Sequence, residues 1–228
     1  MVTFVTAFLD LHEPHPIDRT NTSRIEFFRK LEATGVRLHV FVSPEHRDTI
    51  EVRNGVIETL ALEDLELYSM SPQGLPDTRR SDKDTRNFLI LMNAKIELVN
   101  RAIDSGKHSS THYAWIDFNI YHVLTDHASD RLQSLARTQF PAKCMYFPGC
   151  WEKGVAWDTV NWRFCGGFFL GDVNSIRSFY QLYYREYPNL PKLTWEVNVW
   201  AYLESIGWEC DWYAADHNDS ILAIVLHK

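Results

Sequence analysis

Apolar positions along the chain fall into short unbroken runs alternating with stretches of helical spacing, and their order predicts an α/β fold. Val2 to Leu9 is continuous, apolar and rich in β-branched and aromatic residues, the pattern of a strand covered on both faces. Ile25, Phe28 and Leu31 follow at helical spacing with Gly35 at the expected stop, and Val36 to Val42 forms a second strand closed by Ser43-Pro44. Strand, helix, strand is the unit from which parallel sheets are built. Phe88, Leu91, Lys95, Leu98, Ala102 and Ile103, with Gly106 behind them, predict one long helix, and Tyr113 to Ile116 a strand. Two more helices are predicted, from Asp172 through Tyr183 and from Thr194 through Leu203 to Gly207, each opening on a residue of N-cap type. Met70 to Asp84 is rich in Ser, Pro, Gly, Asp and Arg and reads as a mobile or functional loop. No repeat or linker divides the chain, so a single domain over 1–228 is expected.

Composition narrows the picture. The 228 residues are 45% hydrophobic and 14% aromatic, too apolar for a disordered tail. A net charge of -7, with no basic cluster longer than Arg79-Arg80, argues against nucleic acid as a partner. The N-terminal apolar run has no basic residues before it and is too short for a signal peptide or a bilayer span, so a soluble, cytoplasmic chain without a transmembrane segment is expected. Cys144, Cys150, Cys165 and Cys210 lack the Cys-x-x-Cys spacing of structural zinc sites and read as reduced, buried thiols.

The segment most suggestive of chemistry is Trp115-Ile116-Asp117-Phe118-Asn119. An apolar strand ending in Asp-x-Asn offers two oxygen-bearing side chains on one side of an extended segment, at the sheet edge where open α/β folds bind ligands. Hard divalent cations take such donors; a plain turn or helix cap uses the same residues. Gly166-Gly167 interrupts the apolar run Phe164 to Leu170, where a close approach by a ligand or backbone, or a bulge, would require glycine. Glu196 opens a predicted helix, where the macrodipole alone favours a carboxylate. Its flanks, Trp195 and Trp200, are also the apolar surroundings that tune a carboxylate for general-base work. Trp151, Trp157 and Trp162, in a Gly-containing region, offer either packing or stacking on sugar rings. A strand ending at Asp10 hints at phosphatase chemistry of the haloacid-dehalogenase kind, but that needs a second Asp two residues on, where this chain has His12.

In the order of these features the sequence resembles the nucleotide-sugar-dependent glycosyltransferases of GT-A fold. It is most similar to the HtrL/YibB-type bacterial and viral proteins, through Leu91-Met92-Asn93-Ala94-Lys95-Ile96-Glu97-Leu98-Val99 and Trp115-Ile116-Asp117-Phe118. The resemblance implies a single-domain, Rossmann-like, mixed and mainly parallel sheet flanked by helices, with a nucleotide-binding half over 1–119 and an acceptor and catalytic half over 120–228. It implies a divalent metal, Mn²⁺ or Mg²⁺, on Asp117, Asn119 and His217, with Asn119 in place of a second Asp weakening the hold. It also implies a UDP- or GDP-linked sugar contacted by Thr6, Ala7, Phe8, Arg24, Arg86, Asn93, Lys95, Asp117, Gly166 and Gly167, a glycan or other hydroxyl acceptor, and Glu196 as the catalytic carboxylate. Asn93 and Lys95, two apart on a helix, do not share a face, so at most one of them is expected to touch the ligand. The competing expectation is a non-catalytic carbohydrate-binding module on the same fold.

Overall fold

The computed structural model describes residues 1–12 and 20–224. Seven strands form one sheet: β1 (Val2–Phe8), β2 (Leu38–Val42), β3 (Gly55–Thr59), β4 (His112–Ile116), β5 (Met145–Gly149), β6 (Phe168–Asp172) and β7 (Asp211–Ala214). Their order is β3-β2-β1-β4-β6-β5-β7, with β6 alone running against its neighbours. This is the single-domain, mixed, mainly parallel sheet expected from the sequence. Segments 1–119 and 120–228 both contribute strands to it.

Side-chain alternation along the central strands divides the core in two. Val5, Ala7, Tyr113 and Trp115 face one side, where they pack with α3 (Arg86–Asn93), α4 (Lys95–Asp104), α6 (Val173–Glu186) and α7 (Glu196–Ser205). Phe4, Phe8, Ala114 and Ile116 face the other, against α1 (Asn21–Ala33) and α5 (Ala128–Arg137); α2 (Glu66–Ser69) is a single turn. Burying each such Val, Leu, Ile or Phe side chain contributes roughly 1.5–3 kcal/mol. Among the described residues no helix is long and apolar enough to cross a membrane.

Several local expectations change. The helix predicted from Phe88 to Ile103 is two, α3 and α4, joined at Ala94, whose N–H donates to both Ile90 O and Leu91 O. α7 is capped by Trp195 rather than Thr194, whose hydroxyl instead donates to Trp157 O at 2.9 Å. Asp172 does cap α6, accepting from Asn174 N and Ser175 N. The glycine pair precedes β6 rather than interrupting it. Short β3, β5 and β7 and helix α5 carried too little periodicity to be predicted.

Candidate active site

The carboxyl ends of β1 and β4 open into a cavity of about 900 Å³, the place where open α/β sheets bind ligands. Its wall holds a buried ionic triad. Lys95, 1% exposed on α4, reaches Asp117 Oδ1 at 2.9 Å and Glu196 Oε1 at 2.7 Å, and donates to Gly166 O at 2.9 Å. Three ammonium protons thus meet three acceptors drawn from the end of β4, the start of α7 and the glycine pair. Burial works against the Lys95 charge, but Asp117 and Glu196 outweigh it and hold its pKa above the ordinary lysine value, so it stays an ammonium.

The same geometry explains the glycines. A Cβ at Gly166 would stand 2.2 Å from Glu196 Oε1, and one at Gly167 would stand 2.9 Å from Ile120 Cδ1, so side chains there would displace the triad or its floor. Gly167 O accepts from Asp117 N at 3.0 Å, tying the pair to the end of β4. Close backbone approach, not a bulge within a strand, is what requires glycine here.

Asp117 and Asn119 do not lie along an extended segment as expected. The chain leaves β4 at Ile116 and turns into a 3₁₀ segment, Ile120–His122, which Asn119 precedes at φ -104°, ψ 28°. Both residues nevertheless line the cavity. Asp117 Oδ1 takes Lys95 and the Trp115 indole N–H at 2.8 Å, while Oδ2 lies 3.7 Å from where a Gly167 Cβ would stand. One carboxylate oxygen and an amide on the cavity wall fit a hard divalent ion whose shell is completed by substrate oxygens. His217 lines the cavity too, but its Nδ1 lies 3.9 Å from Cys150 Sγ and 3.5 Å from Asp216 Oδ1, and its ring packs edge-on to Trp162 at 4.4 Å.

The remaining expected contacts divide. Ala7, Phe8, Arg24, Lys95, Gly166, Gly167 and Glu196 line the cavity. Phe8 is buried, its ring stacked on Phe118 at 4.6 Å and His46 at 4.5 Å, so that ring packs the sheet edge. Thr6 is wholly buried outside the lining. Asn93 is too: its amide donates to Leu89 O and Thr194 O and accepts from the Tyr183 hydroxyl, so it braces α7 behind the site instead of touching a ligand. Arg86 donates to Pro72 O at 2.7 Å and Ser71 O at 3.2 Å, pinning the loop rather than reaching the cavity. Glu196 meets the Lys95 ammonium, whereas Trp200 packs with Phe147 in the core. Trp162 and Trp195 line the cavity; Trp157 packs on Tyr202.

Sequence reasoning missed Arg80 and Lys83, both on the cavity wall. The signal was the Met70–Asp84 loop itself, which carries Arg79, Arg80 and Lys83 within five residues. That loop is docked, with Leu193 N donating to Gly74 O at 2.8 Å and Thr78 to Asp158 O. With Arg24 it brings three basic side chains to a wall that also carries Asp84 and the Lys95 triad.

No protein-family model matches the chain, and no curated protein matches it in sequence. Solved structures similar to it include mouse xyloside xylosyltransferase 1 in its apo form, 6% identical over 93% of this chain and 84% of that one, with a TM-score of 0.46. A glycosyltransferase involved in glycosylation of the major capsid of PBCV-1 is 11% identical over 94% of this chain and 81% of that one, with a TM-score of 0.46. A 4-diphosphocytidyl-2C-methyl-D-erythritol synthase from Anaerococcus prevotii is 8% identical over 94% and 89% of the two chains, with a TM-score of 0.44.

Proposed function

We propose that this protein is a glycosyltransferase that moves a sugar from a nucleoside-diphosphate donor to a hydroxyl acceptor. The observation that carries the reading is the Lys95–Asp117–Glu196 triad on the wall of a cation-furnished cavity at the carboxyl ends of β1 and β4. Lys95 and Glu196 are buried and Asp117 partly so; charges taken out of water are costly unless paired, and these three are paired beside open space large enough for a ligand.

The donor diphosphate lies toward Arg24, Arg80 and Lys83, which bind and orient its oxygens. Asp117 and Asn119 would hold a divalent ion, Mn²⁺ or Mg²⁺, which when bound supplies positive charge to the departing diphosphate. The sugar sits beside Gly166 and Gly167, whose lack of side chains lets Glu196 and Ile120 close against the backbone there. The acceptor hydroxyl oxygen forms a bond to the anomeric carbon as the bond from that carbon to the diphosphate oxygen breaks. In an inverting reaction Glu196 takes the hydroxyl proton; in a retaining one its charge stabilises the positive character of the sugar and the departing diphosphate oxygen takes that proton. Lys95 is a positioning residue that fixes both carboxylates relative to the glycine pair.

Thermal denaturation with UDP or GDP, with and without Mn²⁺, tests the donor site. At ligand concentrations about a hundred times Kd, linkage raises stability by about 2.7 kcal/mol and Tm by roughly 5–10 °C. Asp117→Asn is expected to abolish the metal-dependent part. Absence of any shift with either nucleotide overturns the donor-site reading. A shift without turnover of any sugar nucleotide replaces the transferase with a carbohydrate-binding module.

A further inference from the structure

A second polar cluster lies beside the triad, assembled from residues far apart in sequence. β5 and β7 run parallel with Gly149 opposite Ala214, and Ala215 N donates to Gly149 O at 2.8 Å, so both strands release their chains at one end of the sheet. Cys150 N and Trp151 N each donate to Trp162 O at 3.0 Å, folding the intervening segment back on itself. Cys165 N donates to Pro148 O at 2.7 Å and so returns beside Cys150. Cys150 Sγ consequently stands 3.4 Å from Cys165 Sγ, 3.9 Å from His217 Nδ1 and 3.9 Å from Asp216 Oδ1, with Nδ1 and Oδ1 3.5 Å apart.

Two of these separations, Cys150 to Cys165 and Cys150 to His217, are close to edges of a coordination tetrahedron. With metal–sulfur bonds of about 2.3 Å and metal–nitrogen bonds of about 2.0–2.1 Å, a tetrahedral site has S–S edges of about 3.8 Å and S–N edges of about 3.6 Å. The two edges lie within about 0.4 Å of those lengths. The three ligand atoms of Cys150, Cys165 and His217 all fall within 4.8 Å of one another. Cys165 is 1% exposed, and the edge-on Trp162 ring braces the imidazole, so two of the three ligands are held in place.

We infer that Cys150 Sγ, Cys165 Sγ and His217 Nδ1 bind one borderline-soft cation of the zinc class, its fourth corner taken by a solvent oxygen. Two thiolates and an imidazole select such an ion over Mg²⁺ or Mn²⁺, which prefer oxygen donors. Binding transfers the two thiol protons to solvent and leaves the oxidation states of sulfur and metal unchanged. The ion staples the chain leaving β7 to Cys165, whose neighbour Gly166 receives the Lys95 ammonium, and so fixes the cavity rim. It also commits His217 to sulfur chemistry, leaving Asp117 and Asn119 to the hard-cation role. The inference rests on the cluster alone and stands apart from the transferase reading.

The test is titration of anaerobically purified, chelator-stripped full-length protein with Co²⁺, followed by absorbance. One equivalent is expected to produce an intense thiolate-to-cobalt band in the near ultraviolet and tetrahedral d–d bands in the visible. One equivalent of Zn²⁺ removes both; Mn²⁺ at the same concentration removes neither. Cys150→Ser and His217→Ala lose the near-ultraviolet intensity in part or whole, whereas Asp117→Asn keeps it, so failure of the donor site is distinguishable from failure of this one. Replacement of the buried Cys165 endangers the fold, so the wild-type titration and the half-buried Cys150 variant carry the test. Cobalt binding without a thiolate band, or a band undiminished in Cys150→Ser, overturns the assignment.

Discussion

Arg163 with Glu204, and Lys95 with Asp117 and Glu196, are two buried ionic clusters that differ in what surrounds them. Arg163 meets Glu204 as a fork, Nε to Oε2 at 2.9 Å and Nη2 to Oε1 at 2.8 Å. Its guanidinium lies 4.2 Å from the Trp212 ring centroid and donates to Trp151 O, while Lys153 adds a second cation 3.2 Å from Glu204. Neither Arg163 nor Glu204 lines the cavity; all three members of the other cluster do. The fork sets two cations on one carboxylate, filled in by aromatic rings, and works as a clamp between the 150–163 segment and α7. The triad sets two carboxylates on one ammonium and leaves an edge of that arrangement facing open space. Both clusters are paired, and only the triad stands where a ligand could reach it.

The largest effect expected from this contrast is on stability. Arg163→Met leaves the Glu204 carboxylate buried with Lys153 alone and should cost about 3–5 kcal/mol, measured as the shift in urea unfolding. Arg163→Met with Glu204→Leu removes the stranded charge and should recover most of the loss, because an apolar pair of similar volume is often neutral or better. Nucleotide binding per folded molecule should not change in either variant. A double variant no more stable than the single one would mean that the clamp works through packing on Trp212 and not through charge.

Lys95→Met should act on rate. Removing the ammonium leaves Asp117 and Glu196 facing each other, and turnover of the sugar nucleotide should fall about 10²–10³-fold, the loss typical when a preorganised polar group is taken from an active site. Adding Glu196→Gln relieves the repulsion and should raise Tm back toward wild type without restoring turnover. In the fork the second substitution repairs what the first broke; in the triad it should repair only the fold. Recovery of turnover in Lys95→Met/Glu196→Gln would place the triad with the fork as a structural device.

Much of the sheet was legible because its central strands are buried on both faces and so leave unbroken apolar runs; Val2–Phe8 and His112–Ile116 are of this kind. Edge strand β3 is half exposed and has no such signature. Of the residues that the structure brings to one cavity wall, Asp117 drew notice by ending an apolar strand, Gly166 and Gly167 by breaking an apolar run and Glu196 by opening a helix among tryptophans, whereas Lys95 was marked only by the family resemblance. Asn93 was marked by it too, yet serves the fold, since an amide with internal partners looks the same in sequence as one with a ligand. Arg163 with Glu204, and Cys150 with Cys165 and His217, were illegible for a different reason. Their members are separated by 41 residues in the first case and by up to 67 in the second, and only the parallel exit of β5 and β7 and the return of the Trp151–Trp162 segment bring them together.

The smallest effect separates the clusters by pH. Burial pushes the Glu204 carboxyl upward, but the hydrogen bonds from Arg163 and Lys153 and their charges outweigh it and hold its pKa below the ordinary value of 4.5. Below that value the unfolded chain binds a proton that the folded one still refuses, so stability falls as the pH drops through the folded pKa. Lys95 has the opposite sign. Its pKa is raised above 10.5, so above that value the folded chain keeps a proton that the unfolded one has released, and stability falls as the pH rises through the folded pKa. Urea midpoints measured across pH should therefore show the acid limb of the stability profile flattened by Glu204→Gln and the alkaline limb flattened by Lys95→Met. Glu204→Gln should leave the alkaline limb in place, whereas Lys95→Met, by leaving Asp117 and Glu196 face to face, should also reshape the acid limb. Glu204→Gln flattening the alkaline limb as well would show that the clusters are coupled through Phe164 and Cys165, which lie between Arg163 and Gly166 in the chain, and are not two independent devices.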